Sequence, residues 1–395
     1  MACQVKLEKD INGKHLMKKL CYFINSDWYF DLHWLTRAIG SQSEGYQIHI
    51  ICHFLDDNIL KKFTDLGFIC HNSSMSSQSM NPILFINSLV KISGILKIIN
   101  PDILHCITIK PCLIGGFYSR FFNKNIIISF VGLGRIFNGE EWKLRFLRKL
   151  IVPFYKFVFK NSKCLLSFEH EDDREKLISL TGVTPEKTIV IDGAGIDTEI
   201  YAFSQEINNS IPIVLFASRL LKSKGLGDLI QVKKKLAAKG IRFQLNVAGI
   251  PVPDDADAIS LSTIQHWHDA GDINWLGKRG DIDKLIREAN IVALPSTYSE
   301  GVPRILLEAA SVGRPIIAYD VGGCNSLIKN NMNGYLIKKG DIDSLAEKLS
   351  LLLLQPESRK AMGTRSRSII EERFSSTLVL KKTLEMYHRS LNRGY

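Results

Sequence analysis

Two carboxylates and a cluster of cations stand at spacings that could bind paired hydroxyls and an anion. Glu300 and Glu308 lie in the run 291–312, IVALPSTYSEGVPRILLEAASV. A buried strand ends at Leu294, a turn follows, and Pro303 sits near the start of an apolar helix, where its missing N–H would be unpaired in any case. The backbone N–H groups around Gly301, Val302 and Arg304 can then face an anion or a sugar oxygen. Glu300 is in the turn and Glu308 about one and a half turns into the helix. Both can point toward one small region, and ionised carboxylates accept hydrogen bonds from paired hydroxyls. An ordinary reading weighs the same on spacing alone. Glu308 could pair with Arg304 four residues back on the helix surface, worth only ~0.2–0.5 kcal/mol, and Glu300 could simply favour the helix dipole.

The cations lie in 214–225, VLFASRLLKSKG, a strand followed by a loop with Arg219, Lys222 and Lys224 and then a helix. At the end of a buried strand such groups can hold a diphosphate, Arg by its fork and Lys as a point charge. Taken alone, a solvated basic loop explains the segment slightly better.

The elements that must position these residues come in two sets. In the first half, short β-branched or aromatic runs at 20–25, 47–53, 103–106, 126–130, 164–167 and 188–191 alternate with helical stretches around 31–44, 55–66 and 83–99. The second half repeats the scheme. Its strands are expected at 212–216, 244–248, 273–276, 291–294, 315–319 and 334–337, with helices near 225–239, 281–289, 303–312 and 342–354. Such alternation predicts parallel sheets covered by helices. A chain of 395 residues exceeds what one core usually serves. The boundary is expected in the polar stretch 197–211, and a helical region at 357–393 closes the chain. Two doubly wound domains place a ligand in the cleft between them, near the carboxyl ends of the strands.

Composition is that of a globular protein, 45% hydrophobic and 23% charged. The formal charge of +11 favours acidic partners. The eight cysteines (3, 21, 52, 70, 106, 112, 164 and 324) include no pair at zinc or redox spacing, which favours a reducing, cytosolic compartment. Residues 1–16 are polar, read as a disordered extension with Met17 an alternative start, and carry no secretory leader. No apolar stretch approaches the ~20 residues needed to cross a bilayer. No zinc finger or RNA-binding module supports a nucleic-acid partner.

Together the segments SEGVPRILLEAASVGRPIIAYDVGGC and ASRLLKSKG, with GAGID at 193–197 and NGYLI at 333–337, resemble glycosyltransferase family 4 over about 190–355. The likeness is weaker but traceable in the first half. It implies an α/β GT-B fold, two Rossmann-like doubly wound domains facing a central cleft. An acceptor-binding domain would span 17–197 and a donor-binding domain 198–370, with a last helix in 371–395 packing back on the first. Catalysis would be retaining and metal-independent, with a nucleotide-sugar donor and no cofactor. Arg219 and Lys224 would neutralise the departing diphosphate, as fixed cations aimed at developing charge lower a barrier. Glu300 would hold hydroxyls of the transferred sugar beside the backbone at Gly301, Val302 and Pro303, and Glu308 the ribose hydroxyls.

In the first half, NSDWYFDLH (25–33), LHCITIKP (104–111) and VGLG (131–134) resemble the subgroup that builds bacterial O-antigen or capsule units on a polyprenyl-diphosphate lipid. The resemblance implies a UDP-sugar donor, a hexose or N-acetylhexosamine, and a lipid-linked saccharide acceptor at the cytoplasmic face of the membrane. Asp27, His33, His105, Gly132 and Gly134 are the acceptor-side candidates. One departure matters: many family members carry a histidine where this chain has Val131-Gly132. His33 is the first substitute and His105 the second, each weighed against a packing role. A retaining transfer needs no enzymatic base, because the leaving phosphate can take the proton. Alternatives are a GT-B epimerase, a GT-B phosphorylase, or an inactive donor-binding membrane partner.

Two Asp-x-Asp segments, 281–283 and 341–343, mimic a metal-binding pair. Each follows a glycine and opens a helix, where Asp caps, so no metal site is expected. The segment 142–163 has seven Lys or Arg, no acid and several aromatics. Such a stretch can lie on an anionic bilayer, with Pro153 kinking or ending any helix there.

Overall fold

The computed structural model describes residues 17–75, 82–134, 137, 139, 141–298 and 301–392. The extension 1–16 and the catalytic candidate Glu300 lie outside the described residues. The chain forms two compact units. The first falls within 1–131, 139–194 and 376–395, the second within 132–138 and 195–375.

The first unit is built on a parallel sheet of β1 (Lys18–Ser26), β2 (Tyr46–His53), β3 (Ile69–Asn72), β4 (Ile103–Ile107), β5 (Ile126–Phe130), β6 (Cys164–Phe168) and β7 (Thr188–Val190), in the order 3-2-1-4-5-6-7. β4, β5 and β6 are buried at every position. That pattern belongs to a sheet covered on both faces. The covering helices are α1 (Asp27–His33), α2 (Leu35–Ser43), α3 (Asp57–Asp65), α4 (Pro82–Ile99), α5 (Ile109–Phe122), α6 (Trp142–Phe159) and α7 (Glu171–Thr181).

The second sheet holds β8 (Ile213–Arg219), β9 (Gln244–Ile250), β10 (Asn274–Gly277), β11 (Ile291–Leu294), β12 (Ile316–Tyr319) and β13 (Gly334–Ile337), in the order 10-9-8-11-12-13. The first six strands of the first unit have the same order. In each sheet the direction of winding reverses beside the first strand, between β1 and β4 and between β8 and β11. Ligands of such sheets bind at that switch point, outside the carboxyl ends of the strands. The helices here are α8 (Leu226–Ala237), α9 (Leu261–Asp269), α10 (Ile282–Glu288), α11 (Arg304–Val312), α12 (Cys324–Leu327), α13 (Ile342–Leu354) and α14 (Pro356–Ile369). A π-turn, Ile370–Phe374, follows α14. The last helix, α15 (Ser376–Asn392), lies in the first unit, where Val379, Met386 and Tyr387 join the core of Tyr22, Phe30 and Trp34.

Several local features differ from the sequence reading, among them the helices α5, α7 and α9, which it did not expect. Residues 27–33 are helical, β3 is an additional strand, and α6 runs through Pro153 without ending. Pro153 is exposed while Ile151, Tyr155, Val158 and Phe159 bury the other side, so water can take the carbonyl that the missing N–H leaves. The expected linker is no loose tether either. Ser204 and Gln205 accept hydrogen bonds from the Arg314 guanidinium, and Glu206 forms a buried ion pair with Arg359 at 2.7 Å.

Candidate active site

The donor-side candidates among the described residues lie in the loops after β8 and β11 and on α11, at the switch point of the second unit. β8 ends at Arg219, which is exposed, and Lys222–Lys224 form a short 3-10 turn. Lys224 is only 5% exposed. The turn is braced from two sides. The Lys222 N–H donates to the Asp257 carbonyl at 2.8 Å and the Ser223 N–H to Asp257 Oδ2 at 3.1 Å. The Ser223 carbonyl accepts the Thr297 N–H at 2.7 Å and the Ser296 and Thr297 hydroxyls at 3.2 Å each. The basic turn after β8 is thereby tied to the loop after β11.

Gly225 explains why a glycine must follow Lys224. Its φ is +81°, and a Cβ there would stand 2.0 Å from the Pro295 carbonyl oxygen. Both the left-handed backbone and the approach of the two loops exclude a side chain. A similar approach fixes the next turn: a Cβ on Gly323 would lie 2.8 Å from the Val302 nitrogen. Gly301, Val302 and Pro303 are buried there, ahead of α11.

Glu308 pairs with Arg304, Nε to Oε1 at 2.7 Å. The pair expected on a helix surface forms, but Glu308 is 6% exposed. Burial pushes its carboxyl above the ordinary range, and Arg304 and the Tyr201 hydroxyl oppose that rise. A buried carboxylate held by a cation and a hydroxyl is a fixed acceptor, unlike a mobile surface one.

Of the acceptor-side candidates, Asp27, His33 and His105 lie in the first unit, and Gly132 and Gly134 in the second. Asp27 is 1% exposed, and its carboxylate is occupied by backbone. Oδ2 accepts the Leu55 and Asp56 N–H groups at 2.7 and 2.9 Å, and Oδ1 accepts the Trp28 N–H at 2.8 Å. Asp27 thus clamps the loop after β2 to the start of α1, which corrects its reading as a ligand contact. His105 is corrected as well. It is fully buried, with Nδ1 2.9 Å from the Tyr387 hydroxyl and Nε2 2.7 Å from the Ser129 hydroxyl. Burial, and secondarily Arg37, hold its pKa well below the imidazole range. A neutral ring with both nitrogens engaged is a core group. His33 is half-buried at the end of α1, with its ring 4.4 Å from that of Tyr29. Gly132 and Gly134 take positive φ, and the segment 132–138 groups with the second unit. A Cβ on Gly134 would lie 3.5 Å from the Tyr298 hydroxyl.

The sequence reading gave no role to Asp257 and Ser223, which position the basic turn, and took Thr108 only as part of LHCITIKP. Thr108 follows β4 with φ +71°, a strained setting for a β-branched residue, and its hydroxyl is buried without a hydrogen-bond partner among the described residues. The two Asp-x-Asp segments are engaged locally. Asp341 caps α13 through the Ser344 N–H at 2.9 Å. Asp281 precedes α10, makes no cap bond, and is held by Arg279 at 2.7 and 2.8 Å.

The profile described as Glycosyl transferases group 1 matches residues 197–369, and that described as Glycosyl transferase 4-like matches 19–168. Between them they span most of the chain, which belongs to glycosyltransferase family 4 and has the GT-B fold. A Campylobacter jejuni relative, N,N'-diacetylbacillosaminyl-diphospho-undecaprenol alpha-1,3-N-acetylgalactosaminyltransferase, is 27% identical over 348 residues, 84% of this chain and 89% of the relative. The Escherichia coli UDP-Gal:alpha-D-GlcNAc-diphosphoundecaprenol alpha-1,3-galactosyltransferase is 28% identical over 332 residues, 78% and 80% of the two chains. Among solved structures, Anabaena HepE in complex with UDP and glucose superposes with a TM-score of 0.76 at 18% identity, covering 94% of this chain and 100% of that one.

Proposed function

We propose that the protein transfers a hexose or N-acetylhexosamine, with retention, from a UDP-sugar to a polyprenyl-diphosphate-linked saccharide in bacterial surface polysaccharide synthesis. The observation that carries this reading is the braced basic turn at Lys222–Lys224, tied across the β8/β11 switch point to the loop that leads to Gly301–Pro303 and Glu308. In the reaction the bond from the anomeric carbon to the diphosphate oxygen breaks. The acceptor oxygen bonds to the same face of that carbon, and its proton passes to the leaving diphosphate. Arg219 and Lys224 balance the charge that develops on that group. Glu300 orients the sugar hydroxyls beside the backbone at Gly301–Pro303, and Glu308 the ribose. No general base is assigned, since His105 has no nitrogen to offer.

The test is UDP release from UDP-hexoses and UDP-N-acetylhexosamines with a polyprenyl-diphosphate-linked saccharide, in excess chelator. Undiminished turnover and a product of the donor's anomeric configuration are expected. Loss in chelator restored by manganese would overturn the metal-independent reading, and an inverted product the retaining one.

The same reading places the enzyme at the cytoplasmic face of the membrane. Among the described residues no helix is long and apolar enough to cross a bilayer. α6 instead exposes Trp142, Phe146 and Leu150 among five cations and no acid, a composition suited to an anionic surface. Sedimentation with phosphatidylglycerol vesicles is expected for the wild type. Arg145→Glu/Lys149→Glu should bind at least about thirtyfold more weakly, since two basic residues are lost at roughly 1 kcal/mol each near such a surface. Equal binding by both proteins would remove α6 from the membrane face.

A further inference from the structure

Tyr319 ends β12 and is fully buried. Its hydroxyl donates to Asp228 Oδ2 at 2.7 Å, in the first turn of α8. β12 lies two strands from β8, about 10 Å at the ~4.8 Å spacing of neighbouring strands. The side chain therefore bridges across β11 to the helix that follows β8. Both ends of this bridge belong to the switch point. At one end, Lys224 and Gly225 run directly into α8. At the other, Tyr319 leads into the turn 320–323, where a Cβ on Gly323 would stand 2.8 Å from the Gly301 carbonyl carbon and the Val302 nitrogen.

The α8 end of the bridge places a carboxylate close to where the donor reading seats an anion. Asp228 is half-buried and four residues beyond Lys224, and among the described residues it pairs with no cation. One helical turn is ~5.4 Å, so the carboxylate lies within reach of a diphosphate held by Lys224 and Arg219. Like charges at such a range repel, and more strongly where water is excluded. Tyr319 fixes where the carboxylate sits. Asp341, the second carboxylate beside the phenol, is occupied by the Ser344 N–H at 2.9 Å and the Ser344 hydroxyl at 2.8 Å. The phenol proton is thus left to Asp228. Burial first, then the hydrogen bond to Asp228 and the charges of Asp228 and Asp341, raise the Tyr319 pKa above the ordinary phenol range, so it remains a donor. Packing alone would be met by phenylalanine, which fills the same space without the hydroxyl.

We infer that Tyr319 is a positioning residue of the donor site: its hydroxyl holds the Asp228 carboxylate back from the diphosphate of the bound nucleotide. The inference rests on the donor reading proposed above and deepens it, since Tyr319 acts through Asp228 and not on the substrate. A hydroxyl kept only as a brace between β12 and α8 would be indifferent to the charge of its partner.

The experiment is calorimetric titration of UDP into the full chain as wild type, Tyr319→Phe, Asp228→Asn and the double variant. Tyr319→Phe should bind UDP about tenfold more weakly, the scale of one unit charge released at short range in a half-buried setting. Asp228→Asn should bind at least as tightly as wild type, because its amide oxygen still accepts from the phenol and the charge is gone. The double variant should return to within about twofold of Asp228→Asn, as for sites without residual coupling. A double variant as weak as Tyr319→Phe would make the hydroxyl a structural brace and overturn the inference. So would wild-type affinity in Tyr319→Phe. Asp228→Glu keeps the phenol and lengthens the acid, so it tests the same charge even if Tyr319→Phe fails to fold. It should bind UDP more weakly than Asp228→Asn, and equal affinity of the two would overturn the inference. Wild-type binding separates the two readings. If the wild type binds no UDP, the donor reading falls. If it binds UDP and the variants do not differ from it, only this inference falls.

Discussion

Lys224→Met is expected to lower the rate of sugar transfer by about a hundred- to a thousandfold, the usual cost of removing one fixed group aimed at developing negative charge. Methionine keeps most of the buried alkyl volume, so packing around the turn should survive. The effect should exceed that of Arg219→Met, because the two cations differ in setting. Lys224 is 5% exposed, whereas Arg219 is exposed at the strand end. A charge shielded from water acts through a lower effective dielectric and is worth more. The Lys224 backbone is also held in place, with its N–H on the Leu221 carbonyl at 3.1 Å and Gly225 locked against Pro295. On the proposed function, little reorganisation is therefore needed as the diphosphate departs. Steady-state kinetics and UDP calorimetry on both variants check this. A fall in kcat larger than the loss of UDP affinity would locate the charge in the transition state. A Lys224→Met enzyme with wild-type kcat would remove it from the reaction.

The architecture was legible because both sheets are covered on two faces. Runs such as IIISF and CLLSF are short, largely apolar and buried at every position, as interior parallel strands are. The parts that were not legible depend on partners distant in sequence. Asp27 resembles a cleft carboxylate until the loop at 55–56 is folded over it. The basic turn gives no sign of its brace, since Asp257 lies in a different loop with no motif around it. His105 shows the same limit from the other side. A histidine near an expected strand end suggests a site, yet β4 continues to Ile107 and Tyr387, from the last helix, closes over the ring. Local pattern singled out the basic turn after β8 and the segment before α11, because each lies within a short run. It could not separate a buried Glu308 pair from a surface one, because helical spacing is the same for both.

Those long-range braces also predict where the second unit is most vulnerable. Arg314→Ala should destabilise it by about 3–5 kcal/mol, the scale for breaking a buried charged network from one side. Arg314 is fully buried. Its Nε donates to the Ala289 carbonyl at 2.8 Å, Nη1 to the Ser204 carbonyl at 2.7 Å, and Nη2 to the Ser204 hydroxyl at 2.9 Å and the Arg287 carbonyl at 2.8 Å. One side chain thus joins the end of α10, the start of β12 and the segment entering the unit. Burial lowers its pKa to about 10, still above neutral, so the charge is retained at pH 7. Alanine leaves those carbonyls buried without a donor and opens a cavity as well. Arg314→Met separates the two effects, since it fills the space but donates nothing. Its loss should stay close to that of alanine if hydrogen bonding dominates. Arg314→Lys should recover little, because a single ammonium cannot span acceptors arranged for a planar fork. For a unit of this size the alanine variant corresponds to a fall in melting temperature of roughly 10 °C, by the ~2–4 °C per kcal/mol typical of such domains. Differential scanning calorimetry reads it directly. A melting temperature within ~2 °C of wild type would mean that water replaces the guanidinium, and that the segment at 204–206 is held by the Glu206–Arg359 pair instead.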